Sequence, residues 1–240
     1  GTHFSAIANW IKAECAWVDE VFRGSAEEEL RAFLQRISLR ESAPSVGMLT
    51  PAYHLVDLSA YFGVNERRLM DFESSRGCRY KCSFCYSPSH YPTVAEFDFE
   101  HVLALLKETT RLGAEHLFFV DDNFLNKPDR ALRLCRAISE APIHLNWHCY
   151  ATLPELRDPG IIAALAAAGC REVFVGVDAV GFKSQTAFRK RFVGQPSVML
   201  DVIDSCTEHG ILPTIALLVA PESHPLGGDF DQALSAALAA

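Results

Sequence analysis

Residues 158–178, DPGIIAALAAAGCREVFVGVD, contain one complete helix–glycine–strand unit. The opening Asp-Pro pair is typical of a helix N-terminus, because aspartate caps the first turn and proline fits its first position. The apolar run Ile161–Ala168 predicts the helix. Gly169 predicts its end, since glycine adopts the left-handed cap conformation at little steric cost. The β-branched segment Val173–Val177 then predicts a strand.

The same order of elements recurs on both sides of this unit. It predicts three further helix–strand pairs, which are Leu103–Leu112 with His116–Val120, Asp129–Ser139 with Ile143–Ala151, and Val198–His209 with Ile211–Ala220. Gly113 and Gly210 follow the first and last of these helices as Gly169 does. Strict alternation predicts parallel βαβ units, which both an open doubly wound sheet and a (β/α) barrel satisfy.

The strand Ile143–Ala151 favours the barrel. Its residues alternate between an apolar face, made of Ile143, Leu145, Trp147, Cys149 and Ala151, and a polar face, made of His144, Asn146, His148 and Tyr150. A central strand of an open parallel sheet is covered on both sides and is usually apolar throughout. One polar face instead suits a barrel whose lumen holds a polar ligand.

Composition excludes several classes of protein. The 240 residues are 49% hydrophobic and carry a formal net charge of −8, without a concentration of Lys and Arg. A nucleic-acid partner is therefore not expected. Neither a membrane span of about 20 apolar residues nor a leader peptide is apparent. Five of the eight cysteines lie in apolar surroundings and are expected to be buried, reduced thiols, which favours the cytoplasm.

The other three cysteines lie together in Glu73-Ser-Ser-Arg-Gly-Cys78-Arg-Tyr-Lys-Cys82-Ser-Phe-Cys85. Three thiolates this close can bind one metal centre, and three ligands on a 4Fe-4S cluster leave one iron open. Cations at positions 76, 79 and 81 are expected to favour thiolate over thiol. The alternative is a zinc knuckle with a fourth ligand such as His90, although structural zinc sites usually have a second cysteine arm.

This C-x3-C-x2-C segment, with Phe84 before its last cysteine, resembles the signature of the radical SAM superfamily. The resemblance implies that Cys78, Cys82 and Cys85 bind a 4Fe-4S cluster and that S-adenosylmethionine (SAM) chelates the fourth iron. An electron then cleaves SAM to methionine and a 5'-deoxyadenosyl radical. It also implies that Phe84 lies against the adenine, and that a donor such as flavodoxin or ferredoxin supplies the electron.

Two further segments are similar to the cobalamin-dependent branch of that superfamily. Residues 118–124, FFVDDNF, resemble its second-strand segment, and residues 168–178, AGCREVFVGVD, resemble its fourth-strand motif. The resemblance implies that SAM contacts Asp121, Asp122 and Asn123 at the first strand end and Asp178 at the second. The alternative for such aspartates is capping of the following helix.

The resemblance extends to domain organisation. Residues 1–40, with a short predicted strand at Val18–Arg23, resemble the C-terminal remnant of a Rossmann-like cobalamin-binding domain. Residues 41–68 are expected to be a linker, and residues 69–240 a partial (β/α)6-type radical SAM barrel of about five strands. We therefore expect an α/β fold of the TIM-barrel kind in a fragment of a longer protein.

The implied function is a radical SAM enzyme, and the branch implies cobalamin-dependent methyl transfer to an unactivated carbon of a small molecule or peptide. The implied cofactors are a 4Fe-4S cluster, SAM and, in the complete protein, cobalamin. His148 and Tyr150 are candidates for contacts in the lumen, or ordinary core residues. The alternatives are a cobalamin-dependent cyclase or rearrangement enzyme, and a non-catalytic zinc or iron–sulfur module.

Overall fold

A computed structural model describes residues 2–24, 26–37, 50–64, 67–141, 143, 145–178, 182–190, 196–218 and 235. The strands are β1 (Leu69–Phe72), β2 (Ser75–Arg76), β3 (Ala95–Glu96), β4 (His116–Phe119), β5 (Asn146–Ala151), β6 (Cys170–Asp178) and β7 (Leu212–Leu217). The α-helices are α1 (Thr2–Ala6), α2 (Ala8–Glu14), α3 (Ala26–Arg36), α4 (Leu58–Val64), α5 (Ser87–His90), α6 (Phe99–Arg111), α7 (Pro128–Glu140), α8 (Leu153–Leu156), α9 (Pro159–Ala167), α10 (Phe182–Ala187) and α11 (Pro196–Glu208).

Five strands form one parallel sheet in the order β1-β4-β5-β6-β7. The order follows the chain from edge to edge. A doubly wound sheet instead reverses direction at a switch point. The sequential order confirms the predicted partial barrel, in which each crossover moves one strand further in the same direction.

Helices α6, α7, α9 and α11 cover one face of this sheet and form the core with it. On β5 the predicted apolar face is buried, and Trp147 donates a 2.7 Å hydrogen bond from Nε1 to the Ala168 carbonyl. Of the predicted polar face, Asn146, His148 and Tyr150 are only half-buried, and His144 lies outside the described residues. The sheet therefore has one helix-covered face and one half-buried face, which we call the lumen face.

The predicted helix ends are confirmed. Gly113, Gly169 and Gly210 have φ angles of +93°, +93° and +72°. Helix α6 begins earlier than the apolar pattern predicts, because the Asp98 side chain caps it by accepting a 2.9 Å bond from the His101 amide. Of the helices in the described ranges, none has the length and apolar character needed to cross a bilayer.

The isolated cysteines are mostly buried, as predicted. Cys135, Cys149, Cys170 and Cys206 are at most 2% exposed, whereas Cys15 is half-buried. All eight cysteines are free thiols.

The strand predicted at Val18–Arg23 is wrong, because this segment is irregular. Side chains take up its backbone donors. The Glu20 carboxylate accepts from the Val21 amide and the Glu29 carboxylate from the Arg23 amide, both at 3.2 Å. Within the predicted linker, residues 41–49, 65 and 66 lie outside the described residues, whereas α4 is helical and contributes Phe62 to the core.

Candidate cluster and cofactor site

The three clustered cysteines lie on residues 77–94, which we call the cluster loop. A short antiparallel ribbon closes its base, with β2 paired to β3 in the register Ser75↔Glu96 and Arg76↔Ala95. Arg130 of α7 donates to the carbonyls of Ser74 and Phe97 at 3.0 and 3.3 Å, beside this ribbon. The loop is therefore anchored at both ends before the cysteines are considered.

Gly77 begins the loop in a conformation that requires glycine. Its φ is +85°, and an added Cβ would lie 2.7 Å from the Thr93 carbonyl oxygen. Two side chains that follow β4 bind the backbone of this glycine on both sides of its Cα. Asp122 accepts from the Gly77 amide at 2.8 Å, and Asn126 donates to the Gly77 carbonyl at 2.7 Å. The turn before Cys78 is thus held by Asp122 and Asn126 and packs closely against the Thr93 carbonyl.

The thiols of Cys78, Cys82 and Cys85 are free and half-buried. The Ser87 amide donates to the Cys85 sulfur at 3.4 Å, the kind of contact that tunes a cluster sulfur. No three His, Cys, Asp or Glu side chains in the described part converge on a position for one metal ion. A 4Fe-4S cluster instead takes one thiolate on each of three irons, and the donor set fits that requirement.

Burial raises the pKa of the Cys78 thiol to about 11, and burial also raises the pKa of Cys82. The expectation that neighbouring cations favour thiolates is therefore wrong in the absence of iron. These cations are engaged elsewhere, since Arg76 pairs with Glu73 and Glu27, Arg79 pairs with Glu155, and Lys81 donates to the Pro92 carbonyl. Metal binding must displace these protons, which couples it to pH.

Lys190, which no sequence pattern indicated, lies beside the cluster loop. Its side chain is 4% exposed, forms an ion pair with Asp178 and donates to the Gly176 carbonyl at 2.8 Å. Its ammonium group lies 5.9 Å from the centroid of the Phe84 ring and lowers the pKa of Cys82, against the larger effect of burial. A charged pair therefore stands beside the loop at the end of β6, where Asp178 has a φ of +59°.

The cluster loop also contacts the segment that carries Lys190. Ser83 donates from its amide to the Phe188 carbonyl at 3.1 Å and from its hydroxyl to the Ala187 carbonyl at 2.8 Å. Phe84 packs edge-on against Phe188, with ring centroids 5.4 Å apart, and remains 46% exposed. One face of the site is thus an accessible aromatic ring.

Asp121 has a different setting from the other predicted cofactor contacts. It is 1% exposed, and its carboxylate accepts from the Ser74 amide and the Ser74 and Ser75 hydroxyls at 2.8, 2.7 and 2.5 Å. It therefore ties the end of β1 to the end of β4 and does not cap a helix. Burial raises its pKa to about 6, against the effect of these hydrogen bonds.

Asn123, two residues further on, is fully buried. Its side-chain oxygen accepts from the Leu125 amide at 3.1 Å. Its amide nitrogen has no acceptor among the described residues. An unmatched buried donor costs about 1 to 3 kcal/mol, which this side chain carries at the end of β4.

His148 and Tyr150 lie on the lumen face, as predicted, within a row of aromatic rings. Phe118 stacks on His148 with centroids 4.3 Å apart, and it packs edge-on against Tyr150, which in turn packs against Phe174. Burial lowers the pKa of His148 and raises that of Tyr150, so both side chains are uncharged near neutral pH. His90, the alternative zinc ligand, packs against Tyr91 and Tyr86.

Comparison with known families and structures agrees with this geometry. The family model described as "Radical SAM superfamily" matches residues 72–223. Hopanoid C-2 methylase from Rhodopseudomonas palustris (strain TIE-1) is 30% identical over 134 residues, which are 53% of this chain and 24% of the methylase.

Two solved structures share the fold. TsrM from Kitasatospora setae, a radical SAM methyltransferase solved with tryptophan substrate and a SAM analogue, is 21% identical with a TM-score of 0.75, and the match covers 98% of this chain and 52% of TsrM. The cobalamin-dependent SAM radical enzyme OxsB, solved with aqua-cobalamin, is 15% identical with a TM-score of 0.70, covering 90% of this chain and 35% of OxsB. The chain thus spans between a quarter and about half of these relatives.

Proposed function

Because the chain belongs to the radical SAM superfamily, we propose that it is the cluster-binding and SAM-binding core of an enzyme for cobalamin-dependent methyl transfer. The observation that carries the proposal is the cluster loop itself. It holds three free thiols at the C-terminal edge of a parallel sheet, where enzymes of this architecture place their active sites.

We propose that Cys78, Cys82 and Cys85 hold a 4Fe-4S cluster. When bound, the cluster and SAM supply the one-electron chemistry that yields a 5'-deoxyadenosyl radical. The protein's own contribution is to place and shield that chemistry. Gly77 orients the first thiol, and the Ser87 amide stabilises negative charge on the Cys85 sulfur.

The proposed SAM site lies between the ends of β4 and β6. Phe84 offers an exposed ring for the adenine, and the Lys190–Asp178 pair offers charge of both signs to the polar parts of the cofactor. We propose that Asp122 and Asn123 lie on the opposite side. The Asn123 amide nitrogen is buried and has no acceptor among the described residues, so its contact with the cofactor requires this side chain to become accessible. The Asp121 carboxylate already has three donors, so we assign it to holding β1 and β4 together.

Methyl transfer is supported by the relatives. They include a methylase and a methyltransferase, and OxsB was solved with aqua-cobalamin. We propose that the complete protein binds cobalamin outside the five-stranded sheet.

We propose a small-molecule substrate with an apolar body, bound on the lumen face. The row of rings at Phe118, His148, Tyr150 and Phe174 supports this, since such rings make large apolar contacts. Uncharged His148 and Tyr150 add hydrogen-bonding groups within the same row. TsrM was solved with tryptophan, and the named substrate class of the methylase is hopanoid.

A small electron-transfer protein such as flavodoxin or ferredoxin is the proposed electron donor. We propose the cytoplasm as the compartment, because eight free thiols fit a reducing environment.

The experiment that tests this function is anaerobic reconstitution with iron and sulfide. We expect about four irons and four sulfides per chain, because one 4Fe-4S cluster contains four of each. We also expect an EPR signal of the reduced cluster that changes when SAM is added. After reduction, the protein should form 5'-deoxyadenosine from SAM. Replacement of all three loop cysteines with alanine should abolish all of these signals, whereas Cys15→Ala should keep them. Uptake of zinc in place of iron, or an unchanged signal in the triple variant, would sink the proposal.

A further inference from the structure

A buried carboxylate stands behind the cluster loop. Glu155 belongs to α8, the short helix that follows β5, and its side chain is 1% exposed. It forms an ion pair with Arg79 and accepts a 2.8 Å hydrogen bond from the Tyr80 hydroxyl and a further bond from the Thr152 hydroxyl. It has no place among the SAM or substrate contacts proposed above.

The partners of Glu155 lie between two cluster ligands. Arg79 and Tyr80 directly follow Cys78 and precede Cys82, so one carboxylate from the end of β5 holds two of the three intervening residues. Asn126 holds the same stretch from the end of β4, because it accepts from the Arg79 amide at 3.0 Å and from its guanidinium at 3.2 Å. The chain between the first two thiols is thus bound to two neighbouring strand ends.

The exposures of the two charged partners differ. The Arg79 side chain is 42% exposed, whereas that of Glu155 is almost fully buried. A buried carboxylate requires a charged partner and further hydrogen bonds, and all of these donors come from the loop or from Thr152. If the Glu155 carboxylate is neutralised, water can solvate the exposed Arg79 guanidinium. Neutralising Glu155 therefore alters mainly the position and the charge of the loop.

We propose that Glu155 is a positioning residue that, through Arg79 and Tyr80, holds the Cys78–Cys82 segment in its ligand-ready shape and offsets the positive charge beside the cluster. This inference rests on the proposed cluster site. Outer groups that orient metal ligands typically contribute about 10- to 100-fold to metal affinity or activity. The potential of an iron–sulfur cluster also depends on nearby charge and hydrogen bonding.

The charge argument predicts opposite effects for the two partners. Glu155→Gln removes a negative charge and leaves the guanidinium unbalanced, which favours the more negative reduced cluster and makes the midpoint potential less negative. Arg79→Gln removes the positive charge and makes the potential more negative. A merely looser loop would move both potentials in the same direction.

The test compares wild type, Glu155→Gln, Arg79→Gln and the control Glu108→Gln after anaerobic reconstitution. Glu108 forms a matched carboxylate–guanidinium pair with Arg111, but on the exposed surface of α6. The measurements are the midpoint potential from an EPR-monitored redox titration and the rate of iron loss to a chelator. We expect opposite shifts for the first two variants, iron loss about tenfold faster in Glu155→Gln, and wild-type values for the control.

The outcomes separate the inference from the proposed function. If wild type and Glu108→Gln take up no iron, the cluster site and this inference fall together. If both assemble the cluster and Glu155→Gln matches them in potential and iron retention, only the role of Glu155 is refuted. Shifts of the same sign in Glu155→Gln and Arg79→Gln also refute the charge role.

Discussion

Gly77→Ala is expected to distort the cluster loop, because the new Cβ would clash with the Thr93 carbonyl oxygen. Gly210→Ala, at a glycine that also has a positive φ angle, would produce no such clash. Gly77 and Gly210 both have positive φ angles, +85° and +72°, so alanine at either site costs about 1 kcal/mol for the left-handed backbone. At Gly77 the new Cβ also meets the Thr93 carbonyl oxygen at 2.7 Å, whereas at Gly210 nothing lies within 4 Å. Overpacking of this kind adds about 1 to 3 kcal/mol.

Gly77→Ala should therefore lower the free energy of unfolding by about 2 to 4 kcal/mol, and Gly210→Ala by about 1 kcal/mol. Urea unfolding of the cluster-free proteins measures this difference. Because Gly77 precedes Cys78, we also expect Gly77→Ala to take up less iron on reconstitution, while Gly210→Ala loads fully. Equal unfolding free energies and equal iron contents in the two variants would refute the reasoning.

Three further predictions concern buried charge, pH and the two sheet faces. Lys190→Met leaves the Asp178 carboxylate without its buried partner and should lower the free energy of unfolding in urea by about 3 to 5 kcal/mol. Adding Asp178→Asn should recover part of this loss. A double variant that loses the full sum of the two single losses would contradict the pairing. The Asp121 carboxyl has a folded-state pKa of about 6 against a usual 3.8, so its contribution to stability is present at low pH and declines as pH rises between these values. The deficit of Asp121→Asn relative to wild type, measured on cluster-free protein, should accordingly shrink across that interval, and a constant deficit would disprove the shift. Trp147→Ala should cost about 3 to 5 kcal/mol and His148→Ala about 1 kcal/mol or less, because these neighbours face the core and the lumen; similar unfolding midpoints would contradict that assignment of faces.

Local patterns were sufficient for the elements of the sheet. The alternation along β5 predicted which of its residues are buried, and the glycines at 113, 169 and 210 predicted where three helices end. Such signals act within a few residues, through side-chain periodicity and backbone sterics. Local patterning was insufficient at residues 18–23, where carboxylates from Glu20 and Glu29 bind the backbone donors that a strand requires.

The sequence by itself determined the parallel α/β class and the three thiols of the cluster loop, because helix caps, strand faces and cysteine spacing depend on residues that are close together in the chain. Only the tertiary structure decided the strand order and the groups around those thiols. Lys190 reaches the loop from beyond β6, and Glu155 reaches Arg79 across 76 residues of chain. The tertiary structure also decided which carboxylates pair with the loop's cations, since burial and ion pairing depend on which strand ends the folded sheet brings together.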